Sequence, residues 1–295
     1  MEVIKSILGG SVQVYEIIVC FDNPIDSAKK ELLANLCQEH GVPLLILENS
    51  FKSGSSFSYN RAITAASGNF IALASDDDSW HPSKLQIQLE SLGKLKIPAI
   101  SITGCYYKTE AQTIDVKRPK TLISSLESPL IQIYRTRPFQ RTAHRYLPMS
   151  SVLFPADLRK LKFDVSLGAR EDLWWLHQAF LLGFPTVQID FPSIRVEASL
   201  HRTAQRDITE VYEFAERLNS ISPLLASNFL KHHCTRSAIF LGHISRVWDL
   251  KCLGNKFKSD DALDMILNIF HLFIASCFLI KIKFLNFIEF VKNLK

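Results

Sequence analysis

A chain of 295 residues with 47% hydrophobic and 21% charged residues can bury a full core, which excludes a disordered or fibrous protein. Its formal net charge of +5 is mild. It accommodates an anionic ligand or an anionic membrane surface but gives no ground for nucleic-acid binding. The six cysteines (Cys20, Cys37, Cys105, Cys234, Cys252, Cys277) are widely spaced with no CxxC, as expected in a reducing compartment. The N-terminus lacks a basic segment followed by a long apolar core and a small-residue cleavage site, so no signal peptide is expected.

Ile4 to Leu8 reads as the tail of a short helix stopped by Gly9-Gly10. Tyr15 to Phe21, rich in β-branched and aromatic residues without alternation, predicts a central parallel strand ending in the turn Asp22-Asn23-Pro24. Asp26-Ser27 can cap a helix over Ala28 to His40, with Leu32, Leu33, Leu36 and Cys37 on one face. Val42 to Leu47 predicts a second buried strand. A helix over Tyr59 to Ala66, capped near Ser58, leads to a third strand, Phe70 to Ala74. Pro82-Ser83-Lys84-Leu85 opens a helix through Leu92, and Ile97 to Tyr107 predicts a fourth strand. This alternation describes a doubly wound, mostly parallel α/β sheet, which binds ligands beyond the carboxyl ends of its strands.

Asp22 and the triplet Asp76-Asp77-Asp78 both fall at such ends. Adjacent carboxylates at the end of a buried strand repel one another and shift toward protonation unless a positive charge sits among them. A hard divalent cation held against phosphate oxygens supplies that charge at least cost.

Periodicity then fails. Lys117, Arg118, Lys120, Arg135, Arg137, Arg141 and Arg145 stand against one acid, Glu127, in a stretch that fits a substrate-covering loop or a solvated insertion equally well. Met149 to Phe154 resumes as a strand and PADLRKL as a short helix. EDLWWLHQAFLLG is a helix with Glu171 and Asp172 in its favourable first turn, and Trp174-Trp175 is expected to pack it against the sheet, with Trp175 or a neighbour near an acceptor. Val187 to Ile189 predicts a short strand, and Arg195 falls near a second strand end within Ile194 to His201. The domain is expected to close at residue 207, and residues 208–295 to form a helical extension with helices over Glu210 to Leu218, Leu224 to Phe229 and Ser237 to Cys252. His232-His233-Cys234 is a poor zinc pattern, since adjacent ligands lack spaced partners. Ala262 to Ile280 is apolar but interrupted by Asp264, Asn268 and His271, and Lys281 to Lys295 is basic and amphipathic with phenylalanines opposite. Contact with a membrane surface, packing on the domain or a partner subunit, and true spanning all stay open.

Together, NRAITAASGNFIALASDDDSWHPSKL and LKFDVSLGAREDLWWLHQAFLLGFP resemble the inverting family 2 glycosyltransferases, over about Glu2 to Arg202. The resemblance implies a GT-A (Rossmann-like) fold and transfer of a sugar from a nucleotide-sugar donor to a saccharide or lipid-linked acceptor in cell-surface polysaccharide synthesis. It also implies a metal-binding transferase, and with the interfacial tail the chain is expected to be membrane-associated, cytoplasmic or at the inner face of the cytoplasmic membrane. Asp76 and Asp78 would hold Mg2+ or Mn2+, with Asp78 the principal ligand because Ser75 stands where the first acid of the family pattern is common. Asp76 and Asp77 would meet the diphosphate and Asp22 the nucleotide base; by its own residues, Tyr59-Asn60-Arg61 could also approach the diphosphate, with Asn60 the contact. Asp172, with Glu171, would supply the general base, and Arg195 and His201 would lie on a late loop near the phosphates.

The chain begins at about the helix that follows the family's first strand, so the sheet is expected to be N-terminally incomplete, with two strand edges exposed. An inactive or truncated homologue serving as a binding or scaffold subunit is the alternative reading. A nucleotidyltransferase would require a glycine-rich basic N-terminal loop, which the sequence does not contain.

Overall fold

The computed structural model describes residues 1–109, 116–118, 122–135, 147–198 and 208–230. They fall in two compact units, Met1–Ile133 with Arg141–Leu200, and Tyr134–Gln140 with His201–Lys295.

The first unit opens with helix α1 (Glu2–Leu8), whose Val3, Ile4 and Ile7 are buried. Strand β1 (Ile17–Phe21) follows, then α2 (Ser27–Glu39) and β2 (Leu44–Glu48). Asp26 caps α2 as anticipated, its Oδ1 accepting from the Lys29 N–H at 2.7 Å. β1 and β2 pair in parallel, Ile17 opposite Leu44 and Phe21 opposite Glu48. Helix α3 (Ser55–Ala65) begins four residues before the predicted start because Gly54, at φ +89°, turns the chain into it.

The remaining strands build a second sheet. β3 (Phe70–Ala72), β4 (Asp78–Trp80), α4 (Lys84–Gly93), β5 (Ile100–Thr109), β6 (Val116–Arg118), α5 (Pro129–Arg135), β7 (Val152–Pro155), α6 (Glu171–Leu181) and β8 (Thr186–Ala198) follow in chain order. The sheet order is β3-β7-β5-β8-β4, and β6 takes over the β5 edge at Cys105–Tyr107, beyond the β7 pairing at Ser101 and Ile102. Ile100, Ile102, Val152 and Phe154, fully buried, form the middle of its core.

This sheet is mixed, which corrects the mostly parallel sheet expected above. Only β5 and β8 run parallel in it; β3–β7, β7–β5, β5–β6 and β8–β4 are antiparallel. A run of buried apolar residues reveals a strand but not its direction, which only the pairing sets. The two short strands expected around residues 187 and 194 are one long strand, β8, with an irregular register near Pro192. β4 was not anticipated: the last acid of the triplet is already in a strand.

β3 and β4 lie at opposite ends of the sheet order, yet residues 73–77 alone separate them. That segment therefore crosses the end of the sheet. By register the end of β3 and the start of β7 lie level with Ser101 and Ile102 of β5 and the start of β4 level with Tyr107, so the rim it crosses lies on the side toward which β5 and β8 run.

Among the described residues β1 pairs with β2 alone and β3 with β7 alone. Glu16, just before β1, ties their starts together by accepting from Ser67 N, Ser67 Oγ and Gly68 N, just before β3.

In the second unit, α7 (Ile208–Ile221) and α8 (223–230) bury Phe214, Leu218 and Phe229. Tyr134 packs edge-on to Phe214 and Phe229, with ring centroids 5.8 and 5.4 Å away. No helix of the described residues is long and apolar enough to cross a membrane. The predicted helix Ser237 to Cys252, the His232-His233-Cys234 run and the tail from Ala262 to Lys295 lie outside the described residues, as do Lys120, Arg137, Arg141 and Arg145.

Candidate active site

Through its first two turns helix α3 reaches the end of β1, the crossing segment and the start of α6. Ser58 Oγ lies 3.4 Å from Asp22 Oδ1 at the end of β1. The Asp22 carboxylate also accepts from the backbone N–H groups of Ser53 (2.9 Å) and Gly54 (2.9 Å) and from Asn49 Nδ2 (3.1 Å). Burial alone would raise its pKa, but these donors outweigh it and hold the carboxyl below the usual carboxylate range. Arg61, one turn on, donates to Asn49 Oδ1 at 2.6 Å and to the Glu48 carbonyl at 2.7 Å. Asp22 and Asn49 are thereby fixed at the ends of β1 and β2.

Toward the other sheet, the Tyr59 hydroxyl lies 3.4 Å from Ser75 Oγ. Ser75 N donates to Ser150 Oγ at 2.9 Å, and the Ser150 hydroxyl donates to Asp78 Oδ2. Asp78 is 5% exposed, whereas Asp76 and Asp77 are exposed at the crossing. Ser55, the first residue of α3, donates its hydroxyl to Glu171 Oε1 at 3.1 Å, joining the starts of α3 and α6. Asp172 is half-buried beside Glu171, its Oδ1 accepting from the Leu173 N–H at 2.6 Å.

Tyr59 marks the centre of this arrangement. Its hydroxyl is enclosed, and burial, opposed by the Ser75 hydrogen bond and reinforced by the charges of Asp78, Glu171 and Asp77, pushes its pKa up to about 12. The start of α3 thus reaches Glu171 through Ser55, Asp22 through Ser58 and, by way of Tyr59, Ser75 and Ser150, Asp78.

Other expected residues lie elsewhere. Both polar atoms of the Asn60 amide are engaged by Phe163: Nδ2 donates to its carbonyl at 2.9 Å and Oδ1 accepts from its N–H at 2.7 Å. The Phe163 ring stacks on Trp175 of α6 at 5.2 Å, so Asn60 helps to seat the helix carrying Glu171 and Asp172. Trp175 is 1% exposed and packs in the core. Arg195 is not on a late loop: it stands within β8, opposite Ser79 of β4, on the exposed face of the sheet. Asp78 and Trp80, flanking Ser79, are buried on the other face. His201 lies outside the described residues. Lys117, from the basic segment, pairs with Asp190 at 2.7 Å, both exposed.

Ser55, Asn49 and Ser150 escaped the sequence reading. A serine or asparagine carries no pattern of its own, and its role here depends on a partner far along the chain. Among the described residues no three His, Cys, Asp or Glu side chains form a metal cage. The donor set at the crossing is instead the exposed Asp76 and Asp77 with the buried Asp78. It fits Mg2+ or Mn2+ as Mg2+-type ions are commonly held, by one or two protein carboxylates with substrate phosphates completing the shell.

A family model described as "Glycosyl transferase family 2" matches residues 1–156, just over half of the 295. The UDP-Glc:alpha-D-GlcNAc-diphosphoundecaprenol beta-1,3-glucosyltransferase WfgD of Escherichia coli is 30% identical over 94 residues, 32% of this chain and 36% of that protein. The match therefore spans about a third of that relative's length. The crystal structure of S. aureus TarS 1–349 superposes with a TM-score of 0.60 at 14% identity, covering 87% of this chain and 76% of that one. Its complex with UDP-GlcNAc gives 0.62 at 13% identity, over the same shares. At this identity the likeness shows the fold, which is of the GT-A type.

Proposed function

Because the chain belongs to glycosyl transferase family 2, we propose that it transfers a sugar, with inversion, from a nucleoside-diphosphate donor to a saccharide or lipid-linked acceptor in cell-surface polysaccharide synthesis. One observation carries this reading: the first two turns of α3 bond through Ser55 to Glu171 at the start of α6 and, through Tyr59, Ser75 and Ser150, to Asp78 at the acidic crossing, which supports reading the two as one site. A diphosphate-linked acceptor is in the name of the E. coli relative, and UDP-GlcNAc is bound in one TarS structure. Both support a UDP-sugar and a lipid-linked acceptor here.

Asp78, with its exposed neighbours Asp76 and Asp77, would hold Mg2+ or Mn2+, and the bound ion would supply positive charge to the departing diphosphate. Asp22 and Asn49 line the end where the nucleotide base sits. Asp172 accepts the proton of the acceptor hydroxyl as its oxygen bonds to the anomeric carbon from the face opposite the leaving group. The anomeric carbon–oxygen bond breaks, and its electron pair leaves on the terminal phosphate oxygen. Glu171, held by Ser55, keeps the first turn of α6 at the rim.

Asp172→Asn should lower kcat by about 10²–10⁴-fold, the usual weight of a general base. Binding of the nucleoside diphosphate in MnCl2 should persist. Full turnover by D172N with a panel of UDP- and GDP-sugars would overturn the assignment. A binding subunit without turnover is the second reading, favoured by Ser75 standing where the family pattern commonly has its first acid. Wild-type chain that binds the nucleotide but neither transfers nor hydrolyses the sugar would establish it.

The acceptor chemistry and the basic, phenylalanine-rich residues 281–295 support action at the inner face of the cytoplasmic membrane.

A further inference from the structure

Lys84 opens α4 with no solvent exposure, and the chemistry above makes no use of it. We propose that Lys84 is a positioning residue for Asp78: through Trp80 on one side and Gln88 on the other, it holds the strand and the turn that aim the Asp78 carboxylate. The inference rests on the reading of Asp78 as a diphosphate and metal carboxylate.

Two arms meet at the Lys84 amine. Its Nζ stands 3.9 Å from the centroid of the Trp80 ring, and Trp80 lies two residues beyond Asp78 on the same buried face of β4. The same Nζ donates to Gln88 Oε1 at 2.8 Å. Gln88, also fully buried, passes the contact on: its Nε2 donates to the Ser151 carbonyl at 2.8 Å and to the Ser101 carbonyl at 3.1 Å. The residue before Ser151 is Ser150, whose hydroxyl donates to Asp78 Oδ2 and accepts from Ser75 N. The links close on themselves, from Asp78 along β4 to Trp80, Lys84, Gln88, the Ser150–Ser151 turn and back to Asp78.

A lysine here is costly on three counts. An amine loses its hydration on burial, which pushes its pKa down to about 7. A cation in the first turn opposes the helix dipole. A long side chain also gives up its rotamer freedom. A leucine or methionine would fill the same volume without the first two costs. What they could not do is donate to Gln88 while lying on the Trp80 ring.

The test uses the full chain, with UDP and GDP titrated calorimetrically in MnCl2 and the tighter of the two kept as probe. Lys84→Met, nearly equal in volume, and Ser150→Ala should each weaken Mn2+-dependent nucleotide binding by about 10- to 100-fold, as loss of an outer partner to a metal ligand does. Because both act through one carboxylate, the double variant should bind about as well as the weaker single. If K84M fails to fold, Trp80→Phe, which keeps an aromatic ring in place, takes its part in the same cycle. Unchanged binding by a folded K84M, or effects that multiply in the double variant, would overturn the positioning role alone. A wild-type chain that binds neither nucleotide with Mn2+ would overturn both this inference and the reading of Asp78 beneath it.

Discussion

Tyr59 keeps its proton throughout the working pH range, because burial and the charges of Asp78, Glu171 and Asp77 oppose ionisation. It stays a neutral hydroxyl beside Ser75. Asp22 is the opposite case, a carboxylate held ionised by the N–H and hydroxyl donors around it. Its folded pKa is depressed, so its stabilisation is present above the unfolded value near 4 and is lost as pH falls through the lower folded value. The gap in melting midpoint between wild type and Asp22→Asn should therefore be widest above about pH 5 and narrow below about pH 4. A gap independent of pH would contradict this.

Gly54 donates its N–H to both Asp22 oxygens from φ +89°, ψ 167°, a region essentially confined to glycine. A Cβ there would meet no atom within 4 Å, so Gly54→Ala tests backbone conformation alone. It should cost about 1–3 kcal/mol of stability and weaken nucleotide binding; an unchanged thermal midpoint would count against it. At this scale the acids were legible, since a carboxylate at a strand end or helix start is conspicuous in sequence. The hydroxyls that hold them were not: Ser150 meets Asp78 across 72 positions and Ser55 meets Glu171 across 116.

Among the elements, α3 organises the site although its own sequence is only weakly amphipathic. Successive residues face different neighbours around the helix: Ser55 toward α6, Ser58 toward Asp22, Tyr59 toward Ser75 and Asn60 toward Phe163. The start of α6 is set in turn by Trp175. Its ring stacks on Phe163, packs 4.8 Å from Phe154 of β7, and donates Nε1–H to the Leu161 carbonyl at 3.1 Å. Trp175→Ala should destabilise the first unit by about 3–5 kcal/mol through the cavity it leaves, read as a lower urea midpoint. Turnover should fall even where the fold persists, since Glu171 and Asp172 lose their seat. A variant with unchanged midpoint and turnover would refute that dependence. Helix existence and the Asp26 cap were readable because both are local; β4, three residues long, has no periodicity to read.

At the scale of the whole molecule, the acidic crossing joins the two edges of a mixed sheet, and the proposed membrane contact would fall to the basic, phenylalanine-rich tail. The full chain should float with vesicles containing anionic lipid at low ionic strength and be released by salt, since surface charges are screened within about 10 Å at 0.1 M. Replacing Lys281, Lys283, Lys292 and Lys295 by glutamine should reduce flotation, and equal flotation with neutral vesicles would refute an electrostatic attachment.

The amino-acid sequence by itself determined most of the helices and the longer strands, the Asp26 cap of α2 and the acids at strand ends and helix starts. Each of these is settled within a few neighbouring residues by hydrophobic periodicity and local hydrogen bonding. Only the tertiary structure decided that the larger sheet is mixed, that residues 73–77 cross its end, and that Tyr59, Ser75 and Ser150 join Asp78 to α3. Strand direction and register are chosen by pairing between distant segments, and a serine acquires its role only from the partner that the fold brings to it.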